Sequence, residues 1–331
     1  MEKEIKTETA NTVCTAGSAD NGHSRPLAVE AATLVYTLFT SLLILLLHGR
    51  MTEPWHLLGE RGLIVAGMVL IYLVYRSHPG HYTLFLRYLF PLTLLGYWYP
   101  DTYEFCQLFP NLDHVFASAD AALFGCQPSV SFSAHMPEKV WSELFHMGYF
   151  SYYPLIALTV LAPLFTRREL FAPTAFTVLT AFLLYYTIYL FLPVAGPQYY
   201  FHAVGSDLIL SGHFPHLGDY FRYHTELASS PGADGLFRTL VEATQASGER
   251  PTAAFPSSHV GMSTVMLVLL WRNRHSLFWC ALPFYVLLCC ATVYIQAHYL
   301  VDVFAGLVTA VVFLALCDWL WHALQKRGEA Q

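Results

Sequence analysis

Long apolar runs separated by short polar breaks dominate the chain. Eight such stretches are Leu27–Leu47, Gly62–Tyr75, Tyr82–Tyr99, Leu144–Phe165, Phe171–Leu192, His259–Trp271, Leu277–Gln296 and Tyr299–Trp321. Runs that approach about 18 apolar residues are typical of transmembrane helices. The pattern therefore predicts an all-α polytopic membrane helix bundle of about eight spans. Gly62–Tyr75 and His259–Trp271 are shorter than a full crossing, so we expect them to recruit polar flanks or to tilt.

The composition is typical of a membrane protein and argues against some classes of binding partner. Only 12% of the 331 residues are charged, against about 25% in soluble domains. No basic tract exceeds two adjacent residues, which argues against nucleic acid; membrane lipids are the expected partners. Eleven of the 17 Lys and Arg residues fall on the side of the two termini. The positive-inside rule then puts both termini in the cytoplasm and the opposite loops outside.

The same pattern divides the chain into parts. We expect a disordered cytoplasmic tail over 1–26, two extra spans over 27–80, a six-span catalytic core over 81–322 and a second tail over 323–331. The first tail lacks the basic start and apolar centre of a signal peptide. With compact loops, this favours a bacterial inner membrane, although a eukaryotic Golgi-type membrane stays open.

Two long outer segments separate the spans. Pro100–Val140 alternates apolar and acidic residues, as expected of a short interfacial helix. It holds Cys106 and Cys126, which could form a disulfide in an oxidising compartment. Pro193–Phe255 is rich in Gly, Pro, His and Tyr, and we expect it to cover a substrate.

Two short motifs flank the apolar hairpin near the C-terminus. Ala253–His259 reads Ala-Ala-Phe-Pro-Ser-Ser-His, and Tyr294–Val303 reads Tyr-Ile-Gln-Ala-His-Tyr-Leu-Val-Asp-Val. If the hairpin crosses the membrane and returns, His259 and His298 meet at the outer surface. Asp302 follows His298 by four residues and shares its helix face.

These residue types suit phosphoryl chemistry. A neutral imidazole is a good nucleophile near pH 7, and a carboxylate on its other nitrogen fixes the tautomer. Ser257 or Ser258 can cap the helix that begins here, and the free amides of that first turn favour a phosphate. A structural polar cluster is the plain alternative.

The two motifs resemble those of the type 2 phosphatidic acid phosphatase superfamily, PSGH and a third motif ending in HxxxD. The similarity covers about the last two-thirds of the chain. It implies that His298 attacks phosphorus, that Asp302 orients it and that His259 protonates the departing oxygen. It implies no metal and no cofactor.

This chain departs from the superfamily motifs at positions that usually carry Lys or Arg. The superfamily's first motif, KxxxxxxRP, matches Tyr189 to Pro197 here, with Tyr189 for the Lys and Gly196 for the Arg. The Arg usually found six residues before the second histidine is Thr292. A phosphomonoester carries about −1.5 to −2 charges at pH 7, whereas a diester carries one. A site without these cations suits a diester, unless Arg222, Arg238 or Arg250 supplies the charge.

The pattern is similar to the branch containing fungal inositol phosphorylceramide synthase, on Leu112–Pro128 and Phe191–Pro197. It implies transfer of a phosphoinositol-type headgroup from a phospholipid to a lipid hydroxyl. A lipid phosphate phosphatase using the same His-His-Asp set is the alternative, and a transporter or scaffold is a third class. The candidate substrate-binding residues are Ser257, Ser258, Tyr189, Gln198, Arg250 and Thr292.

Other polar residues within or near the spans have simpler interpretations. The loop histidines His202, His213, His216 and His224 match no standard zinc spacing. The aromatic cluster Tyr149–Tyr153 is most simply an interfacial belt. Glu143 and His146 could reach the site, and Glu30 is expected to snorkel to the surface.

Overall fold

The structure is a computed structural model that describes residues 26–329, with side chains to Lys326. In that part of the chain all regular structure is helical, which confirms the predicted fold class. The α-helices are α1 (Ala28–Leu47), α2 (Pro54–Ser77), α3 (His81–Thr93), α4 (Leu95–Cys106), α5 (Asp113–Phe124), α6 (Pro128–His135), α7 (Lys139–Phe150), α8 (Tyr152–Phe165), α9 (Phe171–Tyr189), α10 (Pro197–Val204), α11 (Ser206–Leu210), α12 (Leu236–Gly248), α13 (Ser258–Asn273), α14 (His275–Tyr294) and α15 (Leu300–Glu329). Short 3₁₀ turns lie at His48–Arg50, Arg168–Leu170 and Tyr220–Arg222.

Six helical stretches within residues 26–329 are long and apolar enough to cross a membrane. They are Ala28–Arg50, Pro54–Ser77, Lys139–Phe165, Arg168–Tyr189, His275–Tyr294 and Leu300–Lys326. The other two predicted spans differ from the six. Tyr82–Tyr99 is divided between α3 and α4, and His259–Trp271 corresponds to α13, which has only 16 residues. The last helix continues to Glu329, beyond the boundary predicted at 322, and the tail over 1–26 lies almost wholly outside the described residues.

Two buried ion pairs fasten the first helices to the rest of the bundle. Arg87 donates two hydrogen bonds to Glu30, from Nε at 2.7 Å and from Nη2 at 2.6 Å. Arg61 donates to Asp101 at 2.6 Å. The expectation that Glu30 snorkels is therefore wrong: its carboxylate is buried and paired with a helical arginine rather than with the headgroup region. Ionisable side chains at this depth persist because they are paired.

The bundle is built around α9, which packs against α1, α4, α8, α13 and α15. Helices α13 and α15 approach closely because Gly306 carries no side chain. A Cβ atom there would lie 2.6 Å from the carbonyl oxygen of Ser257. This close approach brings the N-terminal ends of α13 and α15 together at one surface.

The two long outer segments fold into short helices over this surface. The first forms α5 and α6, in agreement with the predicted short helix, and the second forms α10, α11 and α12. Asp120 of α5 accepts hydrogen bonds from the amides of Leu300 and Val301 at 2.8 and 3.0 Å. Asp120 thereby caps α15. Cys106 is buried and Cys126 is exposed, and both are free thiols.

A second acidic residue of α5 ties the outer segments to each other. Asp113 accepts from the amides of Ala195 and Gly196, both at 2.7 Å, and from the hydroxyl of Tyr299 at 2.9 Å. Desolvation raises the pKa of Asp113, while these hydrogen bonds act in the opposite direction. The carboxylate therefore fixes the turn before α10 against the turn before α15.

Candidate active site

His259 and His298 converge at the junction of α13 and α15. Nδ1 of His259 lies 3.3 Å from Nε2 of His298. His259 is the second residue of α13, and His298 lies in the turn between α14 and α15. The hairpin formed by α13 and α14 has therefore returned the chain to its starting level. Two imidazoles facing each other can handle both a nucleophilic attack and a proton transfer.

A backbone carbonyl is the nearest partner of the other His298 nitrogen. Nδ1 lies 2.7 Å from the carbonyl oxygen of Ala254 and 3.7 Å from Oδ2 of Asp302. Since a carbonyl can only accept, Nδ1 carries the hydrogen and Nε2 keeps its lone pair toward His259. Burial lowers the pKa of His298 to about 4, and the Ala254 bond opposes that shift. His298 is thus neutral at pH 7, as a nucleophile must be.

Asp302 is fully buried below His298. Its Oδ2 accepts a hydrogen bond from the amide of Tyr299 at 2.9 Å, and its Oδ1 has no hydrogen-bond partner among the residues that the structure describes. The carboxylate therefore lies close enough to stabilise positive charge on the His298 ring, while a main-chain carbonyl holds the ring's orientation.

Two tyrosines hold His259 in place. The ring of Tyr149 stacks on it with centroids 4.6 Å apart at 29°, and that of Tyr152 contacts it at 4.6 Å and 44°. Both tyrosines are buried. The interpretation of Tyr149–Tyr153 as an interfacial belt is therefore wrong for these two, because the break between α7 and α8 turns them inward. Tyrosines at a membrane interface and tyrosines that pack on a buried histidine look alike in sequence, so the sequence carried no signal for this contact.

The loop before α13 is fixed on three sides. Ser257 caps α13, its Oγ accepting from the amide of Val260 at 3.3 Å, so the predicted cap is confirmed for this serine. The amide of Ser257 donates to the carbonyl of Asp302 at 3.1 Å. Tyr189, at the position of the missing lysine, donates its hydroxyl to the carbonyl of Pro256 at 2.7 Å. At the position where the superfamily's first motif has a lysine, this chain therefore has an uncharged tyrosine that stabilises the loop by a hydrogen bond.

A cavity of about 20 Å³ adjoins the two histidines. It is lined by Tyr99, Tyr149, Ala195, Gln198, Tyr199, Leu227, Gln245, Glu249, Thr252, Ala253, Ala254, His259, Ala297 and His298. This volume is large enough for a water molecule and too small for a larger ligand. Most of the polar lining comes from the second outer segment.

Of the other candidate binding residues, Gln198 reaches this cavity and Thr292 and Arg250 do not. Gln198 donates to the carbonyl of Ala228 at 2.5 Å and accepts from Gln245 at 3.2 Å. The hydroxyl of Thr292 donates to the carbonyl of Cys289 at 2.8 Å. Arg250 is exposed and lies outside the lining.

The remaining loop arginines are engaged elsewhere. Arg238 donates to the carbonyl of Gly232 and to Asp234 and Glu242, while Arg222 reaches the carbonyl of Arg50 at 3.5 Å. Over residues 26–326, therefore, no Lys or Arg lines the cavity. No group of three His, Cys, Asp or Glu placed to hold a metal occurs in the same part of the chain.

Glu143 and His146 form hydrogen bonds with α12 and within α7, respectively, and not with His259 or His298. The carboxylate of Glu143 accepts from the amides of Phe237 and Arg238 at 3.1 to 3.3 Å. Nδ1 of His146 bonds the carbonyl of Ser142 at 2.7 Å. Glu143 thereby anchors the N-terminus of α12.

Glu249, just after α12, is an acidic lining residue that sequence reasoning did not identify. The hydroxyl of Tyr99 donates to its Oε1 at 2.6 Å, and burial raises the pKa of Glu249 to about 7. In sequence it lies beside Arg250, ten residues before His259, in a polar segment that resembles any solvated helix end. Only the fold directs it inward.

One comparison with known proteins finds a match that includes the site. A family model described as the PAP2 superfamily matches residues 115–316, which include both histidines and Asp302. No curated protein and no solved structure matches the chain.

Proposed function

The chain belongs to the PAP2 superfamily of phosphatases and phosphotransferases, and on this premise we propose that it moves a phospho-headgroup from a phospholipid to a lipid hydroxyl. The headgroup is of the phosphoinositol type, on the resemblance of Leu112–Pro128 and Phe191–Pro197 to the inositol phosphorylceramide synthase branch. The site faces the periplasm, with the positive-inside distribution as its support.

The first step makes a phosphohistidine. Nε2 of His298 attacks phosphorus, a new N–P bond forms, and the P–O bond to diacylglycerol breaks. His259, which takes up a proton once the phosphate anion lies beside it, gives that proton to the departing oxygen. The imidazolium formed on His298 is stabilised by Asp302, 3.7 Å from Nδ1, and the free amides at the start of α13 can bind the phosphate oxygens.

The second step returns both histidines to their starting state. A lipid hydroxyl attacks phosphorus, the O–P bond forms and the N–P bond to His298 breaks. The hydroxyl proton passes to His259. Phosphorus must lie between the two imidazoles in both steps, so the 3.3 Å between Nδ1 and Nε2 has to widen when substrate binds.

One observation carries the choice of a phosphodiester: over residues 26–326 the cavity that holds both histidines has no lysine or arginine in its lining. A dianionic monoester would find there no positive charge beyond that of a protonated His259, so its second charge would be desolvated at a large cost. A phosphodiester bears one negative charge, which the amides of α13 can meet. Hydrolysis of a lipid phosphate is the second candidate, since the cavity admits a water molecule.

Purified protein in detergent tests the proposal with two labelled mixtures. One contains phosphatidylinositol labelled in the inositol together with ceramide or diacylglycerol; the other contains phosphatidate alone. His298→Ala is the blank. We expect a new phosphoinositol lipid from the first mixture and little free phosphate from the second. Rapid phosphate release from phosphatidate, without transfer in the first mixture, would overturn the proposal in favour of hydrolysis.

A further inference from the structure

A second, larger recess meets the active site from the other side of His259. It has a volume of about 320 Å³ and runs between α4, α8, α9 and the end of α12. Its lining is mainly apolar and aromatic, with Leu92, Leu95, Ile156 and Phe182 among its walls. It ends at Ser258 and His259. We call this recess the apolar groove.

Glu249 lies where the apolar groove and the polar cavity meet. Of the acidic residues in the described chain, it alone lines both spaces, and Tyr99 and His259 line both as well. The Tyr99 hydroxyl donates to Oε1 at 2.6 Å, and among the described residues no hydrogen bond reaches Oε2. One carboxylate oxygen is thus available in the walls that Glu249 and His259 share.

We infer that Glu249 binds the hydroxyl of the lipid acceptor, whose alkyl chain occupies the apolar groove. This inference rests on the proposed transfer reaction and adds the acceptor's binding site to it. An alkyl chain suits the groove because its walls are mainly apolar and because His259 and Glu249, which line the groove, also line the cavity where the hydroxyl must react. A carboxylate accepts a hydroxyl's hydrogen bond strongly in such surroundings.

From its position, Glu249 orients the acceptor hydroxyl. The acceptor hydroxyl must point a lone pair at phosphorus while its proton goes to His259. A hydrogen bond from that hydroxyl to Glu249 holds the oxygen beside His259 until the proton is transferred. Glu249 takes no part in the first step, because the donor's headgroup lies between the histidines and the leaving oxygen receives its proton from His259.

The charge state of Glu249 gives the inference a readout. The ionisable groups around this carboxyl are Tyr99 of α4, Tyr149 of α7, Tyr153 of α8, Tyr199 of α10 and His259 of α13, while the adjacent Arg250 is exposed and lies outside the cavity. None of the five is a fixed positive charge, so burial dominates and the pKa of Glu249 lies near 7. Only the carboxylate accepts on both oxygens. Transfer should therefore rise as the pH passes through about 7.

Glu249→Gln in the full-length protein in detergent separates the two steps. Release of diacylglycerol from labelled phosphatidylinositol in a single turnover reports the first step, and label on a short-chain ceramide reports the second. We expect the first to stay within about threefold of wild type and the second to fall about 10- to 100-fold, as for one lost hydrogen bond to a charged group. The rise in transfer near pH 7 should disappear.

Glu242→Gln, a partly exposed position on α12 outside the site, is the matched control and should retain both steps. Equal transfer by Glu249→Gln and wild type, or equal loss of both steps, would overturn the inference. A wild-type protein that transfers to no lipid hydroxyl would instead overturn the proposed function, so the two failures are distinguishable. If Glu249→Gln does not fold, Glu249→Asp replaces it, with weaker transfer and a retained pH limb expected.

Discussion

Nδ1 of His298 donates to the carbonyl oxygen of Ala254 at 2.7 Å. The nucleophile's tautomer is therefore fixed by the main chain of the loop that also carries Ser257 and His259. A carboxylate was expected in this role. The consequence is a division of labour in which the carbonyl orients the ring and Asp302 supplies charge.

Asp302→Asn should therefore lower the rate without abolishing it. The carbonyl of Ala254 still orients His298, but the positive charge formed on its ring loses the carboxylate. An interaction of a charged group worth about 1.5–3 kcal/mol corresponds to about a 10- to 150-fold loss of kcat. Single-turnover release of diacylglycerol measures it, with His298→Ala as the inactive reference. An Asp302→Asn protein as inactive as His298→Ala would contradict the division of labour.

The stack of Tyr149 on His259 should contribute to catalysis through position alone. Tyr149→Phe keeps the ring, so we expect activity within about twofold. Tyr149→Leu removes it, and the loss of an aromatic pair worth about 0.5–1.5 kcal/mol should lower kcat about 2- to 12-fold. Steady-state kinetics with one phospholipid donor compares the two variants. Equal activity of both would argue against the stack.

The buried carboxyl of Glu249 should make the protein's stability fall between about pH 4.5 and about pH 7. Its pKa is raised from 4.5 to about 7 by burial, so between these values the folded protein binds more protons than the unfolded chain. Stability from this group is present below pH 4.5 and is lost as the pH rises through 7. Glu249→Gln should thus unfold at a higher temperature than wild type at pH 8, by more than at pH 6. Thermal unfolding in detergent at both values measures the difference, and an equal difference at both would refute it.

Gly196 should tolerate alanine far less well than Gly205. Both have positive φ, 97° and 91°, and alanine costs about 1–3 kcal/mol in such regions. At Gly196 a Cβ would also lie 2.6 Å from the carbonyl oxygen of Ala297, whereas nothing lies within 4 Å of one at Gly205. Gly196→Ala should therefore give little folded protein and Gly205→Ala a modest decrease in melting temperature. Size-exclusion profiles in detergent compare the yields; similar yields would contradict the close approach.

The buried Glu30–Arg87 pair should show strong coupling. Removing one partner leaves the other charge buried without its partner and costs about 3–5 kcal/mol. Glu30→Gln and Arg87→Gln should each lower the melting temperature markedly, and the double variant by less than their sum. A double-mutant cycle by thermal unfolding in detergent measures the coupling. Additive effects would show that the pair contributes little.

Sequence reasoning could recover the part of the site that depends on spacing. The hairpin from His259 to His298 returns the chain to the level where it began, and four residues place Asp302 on the face of His298. Ser257 as a cap follows from the serine at a helix start. Each conclusion needs only the period of a helix and the length of an apolar run.

The rest depends on contacts between distant segments. Ala254 reaches His298 because Ala253 takes a left-handed conformation, with φ of 68°, which no residue pattern signals. Glu30 and Arg87 lie 57 positions apart, so periodicity cannot pair them. From sequence alone, Tyr149 fits an interfacial position as well as it fits packing against His259, and only the break between α7 and α8 decides between the two.

The short helix α13 has a consequence for the surrounding lipid. Its 16 residues span about 24 Å at 1.5 Å per residue, whereas the hydrocarbon core of a bilayer is about 30 Å thick. Most residues of α13 are buried inside the bundle, so the shortfall is met by depth: with its C-terminal end at one surface, the start of the helix lies below the headgroup plane of the other. Acyl-chain length of the host membrane therefore sets how deep a headgroup has to descend to meet His259.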